Sequence, residues 1–477
     1  MQTAVIAILD VGKTNKKVFL FDEQYKIVWE QSRLFSETTD EEGDACEDLG
    51  QLTAWVADVW RELMNQDRFI IRAINFSAYG ASFVHIGNEG KPIAPLYNYL
   101  KPYPGKLQQK FYDRYGGEVT FSMLTASPVL GNLNSGMQLY RIKERQGELF
   151  AQIKYSLHLP QYLSFLLTGV PCSEITSIGC HTNLWNFSQR HYHEWVYREG
   201  IIDKLPPVLP SDRVLPVATP FGAIPGCVAG IGLHDSSSAM IPYLESFREP
   251  FVLISTGTWC ISMNPFNQSP LTAAELKKDC LCYLSYEGKP VKASRLFAGY
   301  EHGQQVGRLA DHFHKTPDFH ATVAFDPGIV DRLLSADEGP AGSVGEGFAN
   351  ERPASGHAGR GDVPDSPIGA SVFAHRDLAG FGSYEEAYHR LLMDIMALQI
   401  ESTQLVLQGT RVKRIFVDGG FGRNQVYMHL LAAAFPHIEV FAASIPQATA
   451  MGAALAIHAH WNARPLPGDI IELKYYK

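Results

Sequence analysis

The chain has 477 residues, more than one hydrophobic core usually serves, so two domains are expected. Apolar residues make up 45% of it, enough for ordinary globular cores, and the formal charge of -9 argues against a protein that gains its affinity by neutralising nucleic-acid phosphates. The seven cysteines show no CxxC pair, which favours reduced core thiols over a disulfide or zinc framework.

From the N-terminus, residues 5–9 form a short apolar run, and residues 18–21 repeat it after a polar turn, so the pattern reads strand, tight turn, strand. Neither a charged leader with a cleavage site nor an apolar run of membrane-spanning length is found, so a cytoplasmic location and no membrane partner are expected. The stretch NSGMQLYRIKERQGELFAQI, residues 134–153, has helical spacing, and a further helical run, PQYLSFLLTG, closes at Gly169. Residues 251–263, FVLISTGTWCISM, have the same build as the first hairpin, which suggests an internal duplication. Ser383 with Glu386 three residues on opens a longer helix that ends by Gly409; strand-like RIFVDGG and helical NQVYMHLLAAAF follow. This alternation means an α/β fold, with the change of domain near residues 239–250. Residues 335–369, dense in Gly, Pro, Ala and Ser, are expected to be a long surface loop.

The letters Gly12-Lys13-Thr14 suggest a Walker A loop, but such a loop requires glycine at position 7, where Ala7 stands. It also requires a helix after the threonine, where residues 18–21 look like a strand. What remains is D-x-G-x-T-N-x-K at a strand-turn-strand. Gly12 lets backbone amides approach phosphate oxygens, Thr14 and Asn15 add donors, and Lys17 adds positive charge. Asp10 points at the same oxygens, which is favourable only with a cation between them; magnesium held largely through water meets that need. A polar hairpin with solvated charges is the plainer alternative for this turn alone.

Asp10-x-Gly12-x-Thr14-Asn15-x-Lys17, the turn Ser255-Thr256-Gly257-Thr258, and the late VDGGFGRNQVYMHLLAAAF with QATAMGAALAI resemble, in order, the nucleotide elements of the FGGY carbohydrate kinases. The resemblance implies two duplicated actin-like (ribonuclease H-like) α/β ATPase domains around a cleft. Residues 1–240 would hold the sugar and the catalytic base, and residues 241–477 would hold ATP. It implies ATP and Mg2+ as cofactors and a small sugar as partner; a homodimer is one assembly compatible with it. Gly12, Lys13, Thr14, Asn15, Lys17, Thr256, Gly257 and Thr258 are assigned to the ATP phosphates, Asp10 to magnesium, and Gly419, Gly420 and Asn424 to the adenosine.

The resemblance makes Asp235, in GIGLHDSSSAM, the general base that takes the proton of the attacking sugar hydroxyl. A plainer role for Asp235 is the N-cap of a helix, and a helix N-terminus there is expected to lower its pKa. Tyr79, Ser82, Asn98, Asn134 and His234 are the candidates for sugar hydroxyls. The pairs His191/His193 and His312/His314 lack accompanying ligands at metal spacing and are expected at the solvated surface. Two local stretches most resemble the branch acting on deoxyketohexoses such as L-rhamnulose and L-fuculose, with pentuloses or polyols as alternatives; an actin-fold sugar regulator without chemistry is the non-enzymatic alternative. Tyr99 stands where many members have an acidic residue, and Gln447 where glutamate is common, so the sugar is left open.

Overall fold

A computed structural model of the chain describes residues 2–13, 15–337 and 371–477. Thr14 and residues 338–369 of the expected surface loop lie outside the described residues. The first residues of that loop are instead helical, because the helix Pro327–Asp337 continues through them.

The first half is built from strands β1 (Thr3–Val11), β2 (Asn15–Asp22) and β3 (Ile27–Leu34), helix α1 (Leu49–Asn65) and strand β4 (Phe69–Ala78). Helices α2 (Ser135–Arg145) and α3 (Leu159–Thr168) follow, then strands β5 (Val214–Pro216), β6 (Val228–Gly230) and β7 (Leu233–His234), and helix α4 (Asp235–Ser246). The expected single helix over 134–153 breaks at Gln146, whose φ of -134° and ψ of 55° leave the helical region, and a short second helix follows. The sheet order is β5-β6-β4-β1-β2-β3, with β7 also on β4.

The second half carries β8 (Phe251–Thr256), β9 (Cys260–Asn264), β10 (Cys280–Leu284) and β11 (Pro290–Leu296), then helices α5 (Ala298–Phe313) and α6 (Tyr384–Leu407). It finishes with β12 (Arg414–Gly419), α7 (Gln425–Ala434), β13 (Glu439–Ser444), α8 (Ala448–Ala456) and β14 (Glu472–Tyr476). Its sheet order is β10-β11-β9-β8-β12-β13-β14. Strands β1, β2, β3, β4, β6 and β5 correspond to β8, β9, β11, β12, β13 and β14 in order and in every parallel or antiparallel sense. The duplication expected from two hairpins is thus a duplication of whole sheets.

Strand alternation decides what the first hairpin shows to each side. On β1 and β2, Ile6, Ile8, Phe19 and Phe21 enter a core with Met240 of α4 that is shared with Phe251, Phe416 and Ala450 of the other half. Val5, Leu9, Val18 and Leu20 face outward onto Trp55, Trp60 and Leu163 of α1 and α3. Asp10 and Lys17 share the parity of the first set, and Lys16 shares that of the second. Helices α4 and α8 close the shared core so tightly that a Cβ on Gly452 would lie 1.8 Å from the Ser238 carbonyl oxygen. Asn75 bridges the halves by donating to the Ala453 carbonyl at 2.7 Å.

Candidate functional site

The Gly12 turn is short: its amide donates to the Asn15 carbonyl at 2.9 Å, and Asp10 faces Lys17 across the β1-β2 ladder. Lys17 reaches across to Gln447 in the second half, Nζ to Oε1 3.3 Å. Lys13 stands at the cleft rim, 3.2 Å from Glu37 Oε1 and 5.9 and 5.8 Å from the rings of Tyr79 and Tyr99. Lys16 turns the other way and is buried against Glu47.

Asp10 accepts a hydrogen bond from Thr449 Oγ1 at 2.8 Å, so it too is tied to the second half. Burial pushes its carboxyl up to about 6, with the charge of Asp235 adding to the rise, Thr449 opposing it and Lys17 opposing more weakly. Asp235 is the first residue of α4, and the N-cap is His234, so the expected capping role falls one residue earlier. Its Oδ1 accepts from the Ser236 amide at 2.6 Å, while its side chain stays 31% exposed to the cleft. Its carboxyl is pushed up to about 6, not down as expected: desolvation outweighs the bonds from Ser236. Asp10 is a hard carboxylate that senses the charge of Asp235, a chemistry that suits a divalent cation with oxygen ligands such as magnesium.

His234 is buried, and its ring nitrogens meet protein groups: Nε2 lies 3.0 Å from Cys180 Sγ and 3.2 Å from Asp235 Oδ1, and Nδ1 lies 3.2 Å from Ser237 Oγ. Burial lowers its pKa to about 3, which favours the neutral ring. Asn134 is fully buried, donating to Ser127 Oγ at 3.0 Å and His181 O at 2.7 Å and accepting from the Leu130 amide at 2.7 Å. Ser82 is buried beside Tyr79, whose hydroxyl donates to Glu47. Asn98 is half-buried and closes its own turn by accepting from the Leu100 amide at 3.0 Å. Asn134 and His234 thus spend polar atoms on protein partners, while Tyr79, Tyr99 and Lys13 gather at the first turn. His193 is buried as the cap of a short helix, correcting its expected surface place, because its ring packs on Phe121.

The second hairpin is joined to Gly419 and Gly420 at the end of β12 by Thr256. Its Oγ1 donates to the Asp418 carbonyl at 2.6 Å and accepts from the Phe421 amide at 3.0 Å, and its carbonyl accepts from the Gly420 amide at 3.1 Å. Gly419 has φ +91°, and a Cβ there would lie 1.9 Å from the Thr256 carbonyl oxygen. Gly257 and Thr258 are exposed at the tip, where the Thr258 carbonyl accepts from the Tyr300 amide at 3.1 Å. Asn424 caps α7 and donates to Tyr388 Oη at 2.7 Å. Gly257, Gly420 and Asn424 line one cavity of about 590 Å3 with His302, His320 and Phe421. His302 and His320 were not legible in the sequence, since no motif surrounds either.

Models of the FGGY family of carbohydrate kinases match residues 5–241 as its N-terminal domain and residues 248–333 as its C-terminal domain. A rhamnulokinase of Mannheimia succiniciproducens is 27% identical over 272 residues, 54% of this chain and 52% of that protein. An L-fuculokinase of Salmonella typhi is 24% identical over 278 residues, 55% of this chain and 57% of its own. The chain thus spans about half the length of the curated relatives it matches. The crystal structure of a carbohydrate kinase from Novosphingobium aromaticivorans shares the fold, with TM-score 0.76 and 22% identity over 99% of this chain and 96% of that one. The paired sheets and the matched domains together show that this chain belongs to the FGGY family of carbohydrate kinases.

Proposed function

We propose that the chain transfers the γ-phosphoryl group of ATP to a hydroxyl of a ketose, with Asp235 as general base. The observation that carries this reading is the placement of Asp235: a partly open carboxylate at a cleft, beside Asp10 of the first turn, with its pKa near 6. A base of that pKa is ionised at neutral pH yet able to hold a proton. As the acceptor oxygen bonds to the γ-phosphorus, its proton passes to Asp235, and the bond from the γ-phosphorus to the bridging oxygen breaks to leave ADP.

Gly12, Lys13, Asn15 and Lys17 on one side and Thr256, Gly257 and Thr258 on the other embrace the phosphates. Gly420 and Asn424 hold the nucleoside in the cavity with His302 and Phe421, and Gly419 shapes the turn beside them. Asp10 would hold Mg2+, which would supply positive charge beside the phosphates. Residues 1–240 form the sugar half and residues 241–477 the nucleotide half. The acceptor we favour is a deoxyketohexose such as L-rhamnulose, with L-fuculose and pentuloses next. No helix among the described residues is long and apolar enough to cross a membrane. A coupled ADP-release screen over deoxyketohexoses, ketopentoses and polyols tests the reading: one ketose should stimulate release well above the blank, and a flat panel defeats it.

A further inference from the structure

Lys16 and Lys17 are adjacent, yet alternation sends only Lys17 to the cleft. Lys16 is 1% exposed and is ion-paired with Glu47, itself 3% exposed. Its ammonium also donates to the carbonyl oxygens of Gly12 and Lys13, at 3.1 Å each, from beneath the turn. The ring of Phe35 lies 5.4 Å from the same nitrogen, and Glu47 further accepts from Tyr79 Oη. A buried lysine is costly to desolvate and is retained only with such partners.

The direction of these bonds matters for the phosphate side. In a trans peptide the C=O and N–H point oppositely, so a Gly12 carbonyl drawn down to Lys16 aims the Lys13 amide away from it, toward the cleft. An unrestrained carbonyl could swing up and oppose phosphate oxygens. We infer that Lys16, held by Glu47, is a positioning residue that fixes the first turn with its acceptors down and its donors toward the polyphosphate. The inference rests on the kinase reading above and adds to it a residue that never meets substrate.

The test replaces the ion pair by apolar groups of similar size, Lys16→Met with Glu47→Leu, an exchange that buried pairs often tolerate without loss of stability. Calorimetric titration with ATP and with AMP separates the turn from the nucleoside cavity, because AMP lacks the outer phosphates. The expected result is ATP affinity weakened about tenfold, with AMP affinity unchanged and the melting temperature close to that of the wild type. Glu47→Gln, which keeps an acceptor for Tyr79, should weaken ATP in the same direction by less. Equal weakening of ATP and AMP, or no change in either, overturns the inference while leaving the kinase reading intact. A wild-type chain that binds ATP no more tightly than AMP overturns both.

Discussion

The two glycine hairpins occupy equivalent places in equivalent sheets, yet they are secured in opposite ways. The Gly12 turn is charged: Asp10 and Lys17 face the cleft, and a buried Lys16-Glu47 pair holds the backbone from below. The Gly257 turn has a neutral anchor, the Thr256 hydroxyl, which ties two segments of the second half together. The difference teaches that duplication preserved a backbone shape and left the chemistry free to diverge. One turn came to carry charged side chains, and the other a rigid, uncharged anchor.

Alanine in place of the supporting glycines should separate the two most strongly. At Gly419 a Cβ meets the Thr256 carbonyl oxygen at 1.9 Å with φ +91°, whereas at Gly12 the nearest atom is the Asn15 carbonyl oxygen at 3.1 Å. Gly419→Ala is expected to cost ~3 kcal/mol or more in thermal or chemical unfolding, and Gly12→Ala under ~1 kcal/mol. Comparable losses at both sites would contradict the rigid-anchor account of the second turn.

Titration should belong to the first turn and Asp235 alone. The Asp235 carboxyl is raised to about 6, so it is protonated and idle as a base below that pH and ionised above it. The expected kcat/KM falls about tenfold per pH unit below the bend. Thr256→Val should lower kcat/KM at every pH by a similar factor and leave the bend where it is, since no proton on Thr256 titrates in this range. A bend near 4 would show that Asp235 is not desolvated as described.

Sequence pattern revealed the two hairpins, the helix opening at Ser383, the helix that follows the 418–424 turn and the paired halves, because local periodicity and turn chemistry specify them. It did not reveal which way the side chains nominated for the sugar point. Asn134 and Ser82 lie close to the pocket along the chain but are turned inward, a fact set by packing across segments distant in sequence. Lys16 was passed over between two lysines assigned to phosphate, although the alternation of KKVFLF already places it with Val18 and Leu20 rather than with Phe19. The raised pKa of Asp235 was illegible too, since a helix N-terminus argues for lowering and only the folded surroundings tip the balance.

The smallest expected effect is at Lys13. Its ion pair with the half-exposed Glu37 is a surface pair, so Lys13→Ala should shift unfolding by under ~1 kcal/mol. Its effect on KM for ATP should be several-fold and should shrink as salt rises, which initial-rate measurements at two ionic strengths would show.

The most direct test of the central claim is phosphorus NMR of a reaction with the accepting ketose, run with the wild-type chain and with Asp235→Asn. The wild type should give a sugar phosphate monoester and ADP in equal amounts, and the variant should bind ATP normally but form the ester at least ~100-fold more slowly. Ester formation by Asp235→Asn at the wild-type rate would remove Asp235 from the chemistry and contradict the account.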